Sequence, residues 1–358
     1  IEDVGTKRTL IYDITSLSYS RMIKLLEYGY NRDGMDLPQV NLAVVMDKEL
    51  GIPVMYDLYR SIVDVSTLKN TIKKVRGLGI EECTLVMDRG FFSMPNLVEL
   101  VSNNLSFVMP APFTVKAVKQ LISSIHGEIY DPNLMEMYNG EPIFVKPAIM
   151  EMGVSVNGYA FYSPKREQTE RNLFYKNLYN ATEKLRRVKL KRWMNPKEIV
   201  DQVAGRFSPY IEWGVVDNGF DIKVRRKAVA QRINRMGKFL ILYSGELDWK
   251  ECLSIYRGKD IVEKGFDIFK NDIEALPLNV HKESTLRGLL FVCFLALMIR
   301  MRLMKIMLET DLVEKYNVTG LLLELEKIKK IELTNGEQII SELTRKQKEI
   351  LDRLGLCA

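Results

Sequence analysis

Apolar and polar positions change their period in an ordered way along the first third of the chain. KRTLIYD ends a short apolar run on Asp13, and QVNLAVVMD and GIPVMYDLYRS are two further strand-like runs separated by the turn residues KELG. Three such runs in succession predict an antiparallel meander. Helical spacing follows, with Leu68, Ile72 and Val75 on one face, Asp64 or Ser66 as the cap, and Gly77 and Gly79 as the stop. The apolar run CTLVMD, Cys83 to Asp88, is a strand that a crossover helix sets parallel to the first. Ser93 caps a short helix with Pro95 in its first turn, and LSFVMP is the next strand.

Three antiparallel strands, a helix, a strand, a helix and a strand are the order of an RNase H-like α/β fold, a mixed sheet flanked by helices. In that fold the strands ending on Asp13 and Asp88 lie side by side, so both carboxylates emerge at one edge of the sheet. An aspartate after a strand also begins turns, which explains one such residue more readily than two. Further along, PIFVKPAIM and GYAFYS are short apolar runs, a charged helical segment follows, and Asp217, Asn218 and Gly219 form a hairpin turn within WGVVDNGFDIKV. FLILYS, Phe239 to Ser244, is a strand returning to the core sheet, and Asp248 begins the helix that delivers Glu263. Leu286 to Leu308 is a long apolar helix behind the sheet. The tail from Asp311 holds two or three amphipathic helices with a turn at Thr334, Asn335 and Gly336.

An apolar fraction of 47% over 358 residues describes a globular chain with room for two domains. The longest apolar run, GLLFVCFLALMI, is too short to span a bilayer, so no membrane partner is expected. Cys83, Cys252, Cys293 and Cys357 are widely separated and form no C-x2-C pair, so neither a zinc site nor a disulfide framework is indicated, which fits a reducing cytoplasm. The net charge of +6 suits a polyanionic partner. The chain begins at Ile1 without an initiator methionine, so it is expected to be a fragment.

Chemistry concentrates in IYRGKDIVEKGFDIFK, Ile255 to Lys270. Tyr256, Lys259, Glu263 and Lys270 stand at offsets that an α-helix gathers into an arc of about 60°. A carboxylate fixed between cations there can bind a divalent metal while the lysines hold phosphate oxygens. A solvated charged helix face is the plain alternative. The pattern resembles the Y-x2-R-x3-E-x6-K signature of bacterial insertion-sequence transposases of the DDE class, with Lys259 where the family has arginine, which keeps the charge and loses the planar fork. TLVMDRGFFS, Thr84 to Ser93, is similar to that family's second-aspartate motif, and Asp13 with its strand to the first.

The resemblance implies that Asp13, Asp88 and Glu263 are the catalytic and metal-binding acids, with Mg2+ as the ion and Mn2+ as its substitute. It also implies DNA cleavage at transposon ends, strand transfer into target DNA, nucleoid association, and a strand-rich insertion before the glutamate; a homodimer in the DNA complex is compatible with it. The expected division is residues 1–112 and 238–310 as the two parts of the core, 113–237 as the insertion subdomain and 311–358 as a helical C-terminal tail.

DNA contacts are expected from Tyr256, Lys259 and Lys270 and from two basic clusters. One is KLRRVKLKR, with Lys184, Arg186, Arg187 and Lys189; the other runs from Lys223 to Lys238 and includes Arg225, Arg226 and Lys227. Either is a phosphate-binding surface or a solvated helix face. Trp193 and Trp213 beside them either stack on an unpaired base or belong to the core. His126 and His281 fall in no catalytic arrangement. Two other functions stay open, a chain that binds DNA without turnover and a plain RNase H-like nuclease.

Overall fold

The computed structural model describes residues 8–18, 38–59, 65–273, 280, 282–332 and 338–356. Strand β1 (Arg8–Ser18) is buried along nearly its whole length, as is β2 (Gln39–Asp47), its antiparallel neighbour. Strand β3 (Ile52–Tyr59) completes the meander, pairing antiparallel with β2. After helix α1 (Val65–Gly77), strand β4 (Cys83–Met87) pairs parallel with β1. Ser93 caps α2 (Met94–Ser102) by accepting the Asn96 N–H, and β5 (Ser106–Ala111) then pairs parallel with β4. The order β3-β2-β1-β4-β5 is the mixed arrangement expected from the strand and helix signals.

One expectation is corrected by the strand pairing. Asp13 does not end its strand; β1 continues to Ser18 because Ile14 to Ser18 still find backbone partners in Ala43 to Gln39, and Ser16 Oγ donates to Asn41 Oδ1 at 3.0 Å. Asp64 lies outside the described residues, while Ser66 falls inside the first turn of α1.

The chain forms two compact units, Ile1–Met109 with Ser244–Leu247 and Glu251–Ala358, and Pro110–Tyr243 with Asp248–Lys250. The second unit starts with α3 (Lys116–Ser124), then β6 (Met135–Tyr138), β7 (Glu141–Glu151) and β8 (Ser155–Tyr162), which pair antiparallel in sequence. Ser163 caps α4 (Pro164–Arg186), whose Phe174, Leu178, Ala181 and Leu185 recur at helical spacing and form one wall of a separate core. Helix α5 (Pro196–Ala204), the hairpin of β9 (Ile211–Val216) and β10 (Gly219–Val224), and α6 (Arg226–Ile233) supply the rest. The hairpin turns at Asp217 and Asn218, both with positive φ, as its Asp-Asn-Gly sequence predicts. Strand β11 (Lys238–Tyr243) pairs antiparallel with β8.

Back in the first unit, Ser244 exchanges backbone and side-chain hydrogen bonds with Phe107 of β5. Helices α7 (Trp249–Arg257) and α8 (Asp260–Asp267) follow, then a π-helical turn over Ile268–Asp272. The long helix α9 (Glu283–Glu309) buries Leu286, Leu290, Leu297 and Met301 against the core that α8 and the β1–β2 face share. Among the described residues no helix is long and apolar enough to cross a membrane. The tail holds α10 (Val318–Glu326), a small hairpin of β12 (Lys330–Glu332) and β13 (Gln338–Ile340), and α11 (Arg345–Arg353) behind a Thr344–Gln347 capping box. The expected turn at Thr334, Asn335 and Gly336 lies outside the described residues, as do His281 and Cys357.

Candidate active site

The β-pleat decides which way Asp13 faces. Tyr12 packs its ring against Phe91 in a tilted pair with centroids 4.7 Å apart, and its hydroxyl faces Thr71 and Thr67 of α1. Successive side chains alternate, so Asp13 is on the opposite face with Ile11 and Leu17, which pack against Val262, Phe266 and Phe269 of the α8 region. Asp13 is buried in the middle of a covered strand, and Oδ1 accepts the Ile14 N–H at 2.8 Å. A carboxylate in such a place is costly unless it is satisfied or put to use. Tyr12 is the last residue of β1 paired with β4, opposite Met87, so Asp13 and Asp88 both follow directly after that pair. Asp88 has extended backbone and opens the short 3-10 turn Arg89–Phe91.

Tyr256, Lys259, Glu263 and Lys270 do not lie on one continuous α-helix. Helix α7 stops at Arg257, and Gly258 and Lys259 form a turn. Lys259 then serves as the N-cap of α8. A Cβ at Gly258 would stand 2.8 Å from the Lys48 side chain and 3.1 Å from the Ile255 carbonyl. Close approach of β2's end to the helix therefore coincides with the break. Lys270 lies one step further on, in the π-helical turn, half-buried. The four residues thus belong to three helical segments rather than to the single α-helix expected.

The break has a chemical result. Lys259 Nζ lies 3.0 Å from Glu263 Oε1 and 3.4 Å from Asp88 Oδ1, so one ammonium joins two of the three predicted acids. Burial alone would lower the lysine's pKa, but the Glu263 hydrogen bond and the charges of Asp88, Tyr256 and Glu263 outweigh it and raise the pKa above the ordinary lysine range. Glu263 stands in the first turn of α8. Tyr256 is half-buried against the core with its ring 5.8 Å from Lys259 Nζ. Among the described residues no three His, Cys, Asp or Glu side chains converge closely enough to hold a metal ion by themselves.

Seven of the predicted DNA-contacting cations of the second unit, Lys184, Arg186, Arg187, Lys189, Arg225, Arg226 and Lys227, are at the surface. Lys184, Arg186, Arg187 and Lys189 are exposed at the C-terminal end of α4 and in the loop beyond, with Arg186 paired to Glu183 at 2.6 Å. They form a helix end rather than a helix face. Arg225, Arg226 and Lys227 are exposed at the N-terminus of α6, where the helix dipole opposes positive charge, so their position there does not serve the helix. Trp193 is 78% exposed beside the Lys191 ammonium, whereas Trp213 packs edge-on against Phe220 in the core.

A family model described as "Transposase DDE domain" matches residues 5–299, most of the chain. The chain belongs to the DDE transposase domain family. Members of this family generally use divalent metal ions. The DDE chain is similar to a piggyBac transposase synaptic complex with hairpin DNA at TM-score 0.40 and 7% identity, over 82% of this chain and 46% of that one. It is matched to a Drosophila P element transposase strand transfer complex at TM-score 0.17 and 12% identity, over 79% of this chain and 56% of that one. It thus spans about half the length of either. No curated protein matches it.

Two features of this DDE chain carry no signal in the sequence. Lys259 as the cation shared by two acids depends on a contact between residues 171 positions apart. Lys238, the last residue of the second basic cluster, is not on the surface at all: it is 2% exposed, with Nζ 2.7 Å from His126 Nδ1 and donating to the Asn234 carbonyl at 2.6 Å.

Proposed function

We propose that this chain carries the catalytic core of an insertion-sequence transposase, which cuts DNA strands at transposon ends and joins them to target DNA. In this reading Asp13, Asp88 and Glu263 hold two divalent cations, Mg2+ with Mn2+ as substitute. The observation that carries it is the Lys259 ammonium between the Asp88 and Glu263 carboxylates, beside the strand that presents Asp13. Two carboxylates that already share one cation fit the hard-oxygen donor set of such ions, with neither histidine nor thiolate in the group. When bound, the ions activate a water or 3′-hydroxyl nucleophile and stabilise the leaving oxygen.

The chain's own residues do the remaining work. Asp13 is fixed by the Ile14 N–H and by its covered strand. Lys259 offsets the repulsion between Asp88 and Glu263 while the ions are absent, and once released from them it is free to hold a phosphate oxygen. Tyr256 and Lys270 flank the same segment, and Lys184, Arg186, Arg187, Lys189, Arg225, Arg226 and Lys227 contact the DNA backbone. A nucleoid location and a homodimer that pairs two transposon ends go with this function.

The test is incubation of the purified protein with a supercoiled plasmid carrying the native element and Mg2+. Cuts at the element's ends are the expected outcome. Nicking without regard to the ends would instead make the protein a nuclease, and binding without cleavage would make it a DNA-binding protein only.

A further inference from the structure

The second unit contains a cleft of about 340 Å3 unrelated to the carboxylates, between α4, the 3-10 segment Gly205–Tyr210 and α6. Its size is at the lower end of the range for small-molecule sites, room for one nucleotide rather than a larger cofactor. Three rings line it in mutual contact. Phe174 meets Tyr210 edge-on at 5.1 Å and Phe207 at 5.8 Å, and Phe207 lies 6.3 Å from Tyr210. Phe174 is buried, while Phe207 and Tyr210 are half-buried, so part of each of those two rings still faces the opening.

The polar lining is cationic and available. Arg206 and Arg232 are both exposed, and among the described residues neither is ion-paired to a carboxylate. Arg206 lies over the Phe207 ring at 5.3 Å, which holds its guanidinium beside the aromatic surface. The one acid in the lining, Glu170, is already engaged: Oε1 accepts from Arg166 Nε at 2.8 Å and Oε2 from the Gly237 N–H at 3.0 Å. Asn177 adds an amide that can both donate and accept. Uncommitted guanidinium groups, an aromatic wall and one amide match a planar heterocycle joined to a phosphate. The rings take the face of the base, the arginines take the phosphate, and the amide meets the base edge.

We propose that this cleft binds a nucleoside 5′-phosphate, either as an unpaired nucleotide of a DNA strand or as a free nucleotide. Two titrations of the full chain test it. In the first, dAMP is titrated by calorimetry, with adenosine and inorganic phosphate as separate competitors. In the second, a duplex with a short single-stranded tail is compared with the same duplex blunt-ended at matched salt.

Saturable dAMP binding at least about tenfold tighter than either half-molecule is expected for a site that uses both stacking and charge. A tailed duplex that binds about tenfold better than the blunt one assigns the site to a strand; dAMP binding with no gain from the tail assigns it to a free nucleotide. Phe207→Ala should remove whichever effect is seen. Arg206→Gln changes an exposed side chain outside both basic clusters and leaves the core intact, and it should weaken the effect about tenfold while blunt-duplex binding stays unchanged. If the wild-type protein shows neither dAMP binding nor a preference for the tail, or if phosphate competes as well as dAMP, the proposal is overturned. In that event blunt-duplex binding would leave the transposase reading standing, and its absence would remove that reading as well.

Discussion

Two lysines, one in each unit, lie beside tyrosine rings, and their ammonium groups are shifted in opposite directions. Lys259 is partly desolvated, yet the nearby Glu263 and Asp88 carboxylates raise its pKa. Lys238 is more deeply buried and meets neutral partners: His126 Nδ1, the Asn234 carbonyl and the face of Tyr130 at 4.9 Å. Burial pushes its pKa down to about 8, with only the charge of Glu167 pulling the other way. The same burial and the presence of Lys238 lower the pKa of His126. A buried cation therefore has opposite meanings in the two places. Around Lys259 the anions exceed the cation and leave capacity for more positive charge; around Lys238 there is no such surplus, and the lysine serves packing at a cost.

The largest effect that would sharpen this contrast is at the acids. Asp13→Ala, Asp88→Ala and Glu263→Ala should each lower strand cleavage by about a thousandfold or more, since charge stabilisation in the transition state is worth several kcal/mol. DNA binding, dominated by phosphate contacts elsewhere, should change little. Cleavage at wild-type rate by any one variant removes that residue from the site.

Lys259→Met should reduce cleavage about ten- to a hundredfold, the worth of a charge-assisted pair at a partly buried site, and Lys259→Arg should restore much of it. Its pH dependence has a definite sign. The folded chain holds the Lys259 proton more tightly than the unfolded chain, so this stabilisation is fully present below the ordinary lysine value of about 10.4 and is lost as pH rises through the higher folded value. Melting curves of wild type and Lys259→Met should differ by a constant amount at neutral pH and converge in strong base. Curves that stay parallel throughout would mean that the lysine is not coupled to the acids.

At the surface of the second unit, neutralising Lys184, Arg186, Arg187 and Lys189 together should weaken DNA binding and flatten its salt dependence. The log–log slope should fall by about 0.9 for each phosphate that no longer meets a cation. An unchanged slope makes this helix end a solvated feature and moves the DNA-binding role to Arg225, Arg226 and Lys227.

The smallest effect expected is at Lys238. Its folded pKa lies below the unfolded one, so the penalty for its charge is fully present below about 8 and disappears as pH rises toward the ordinary lysine range. The melting temperature of the wild type should gain a rising component across that window, and Lys238→Met should lack it. Identical pH profiles for the two proteins would show that burial at this position carries no titration cost.

Much of the architecture is written locally in the chain. The order of β1 to β5 follows from apolar runs and turn residues, the β9–β10 turn from an Asp-Asn-Gly that accepts positive φ, and α9 from a long apolar stretch. Asp88 is legible for the same reason, because the apolar strand before it ends there. What the sequence could not determine depends on residues far apart along it. β1 runs past Asp13 because Gln39 to Ala43 offer backbone partners. The helix before Glu263 breaks where Gly258 meets Lys48, and that turn carries Lys259 to Asp88. Trp193 lies exposed in the loop after α4 and Trp213 is drawn into the core, although both sit beside basic residues in the sequence. The cleft of Phe174, Phe207 and Tyr210 assembles residues from two separated segments. Periodicity records how a segment satisfies its own backbone and which face it buries, whereas the charge and exposure of a side chain depend on neighbours that only the folded chain supplies.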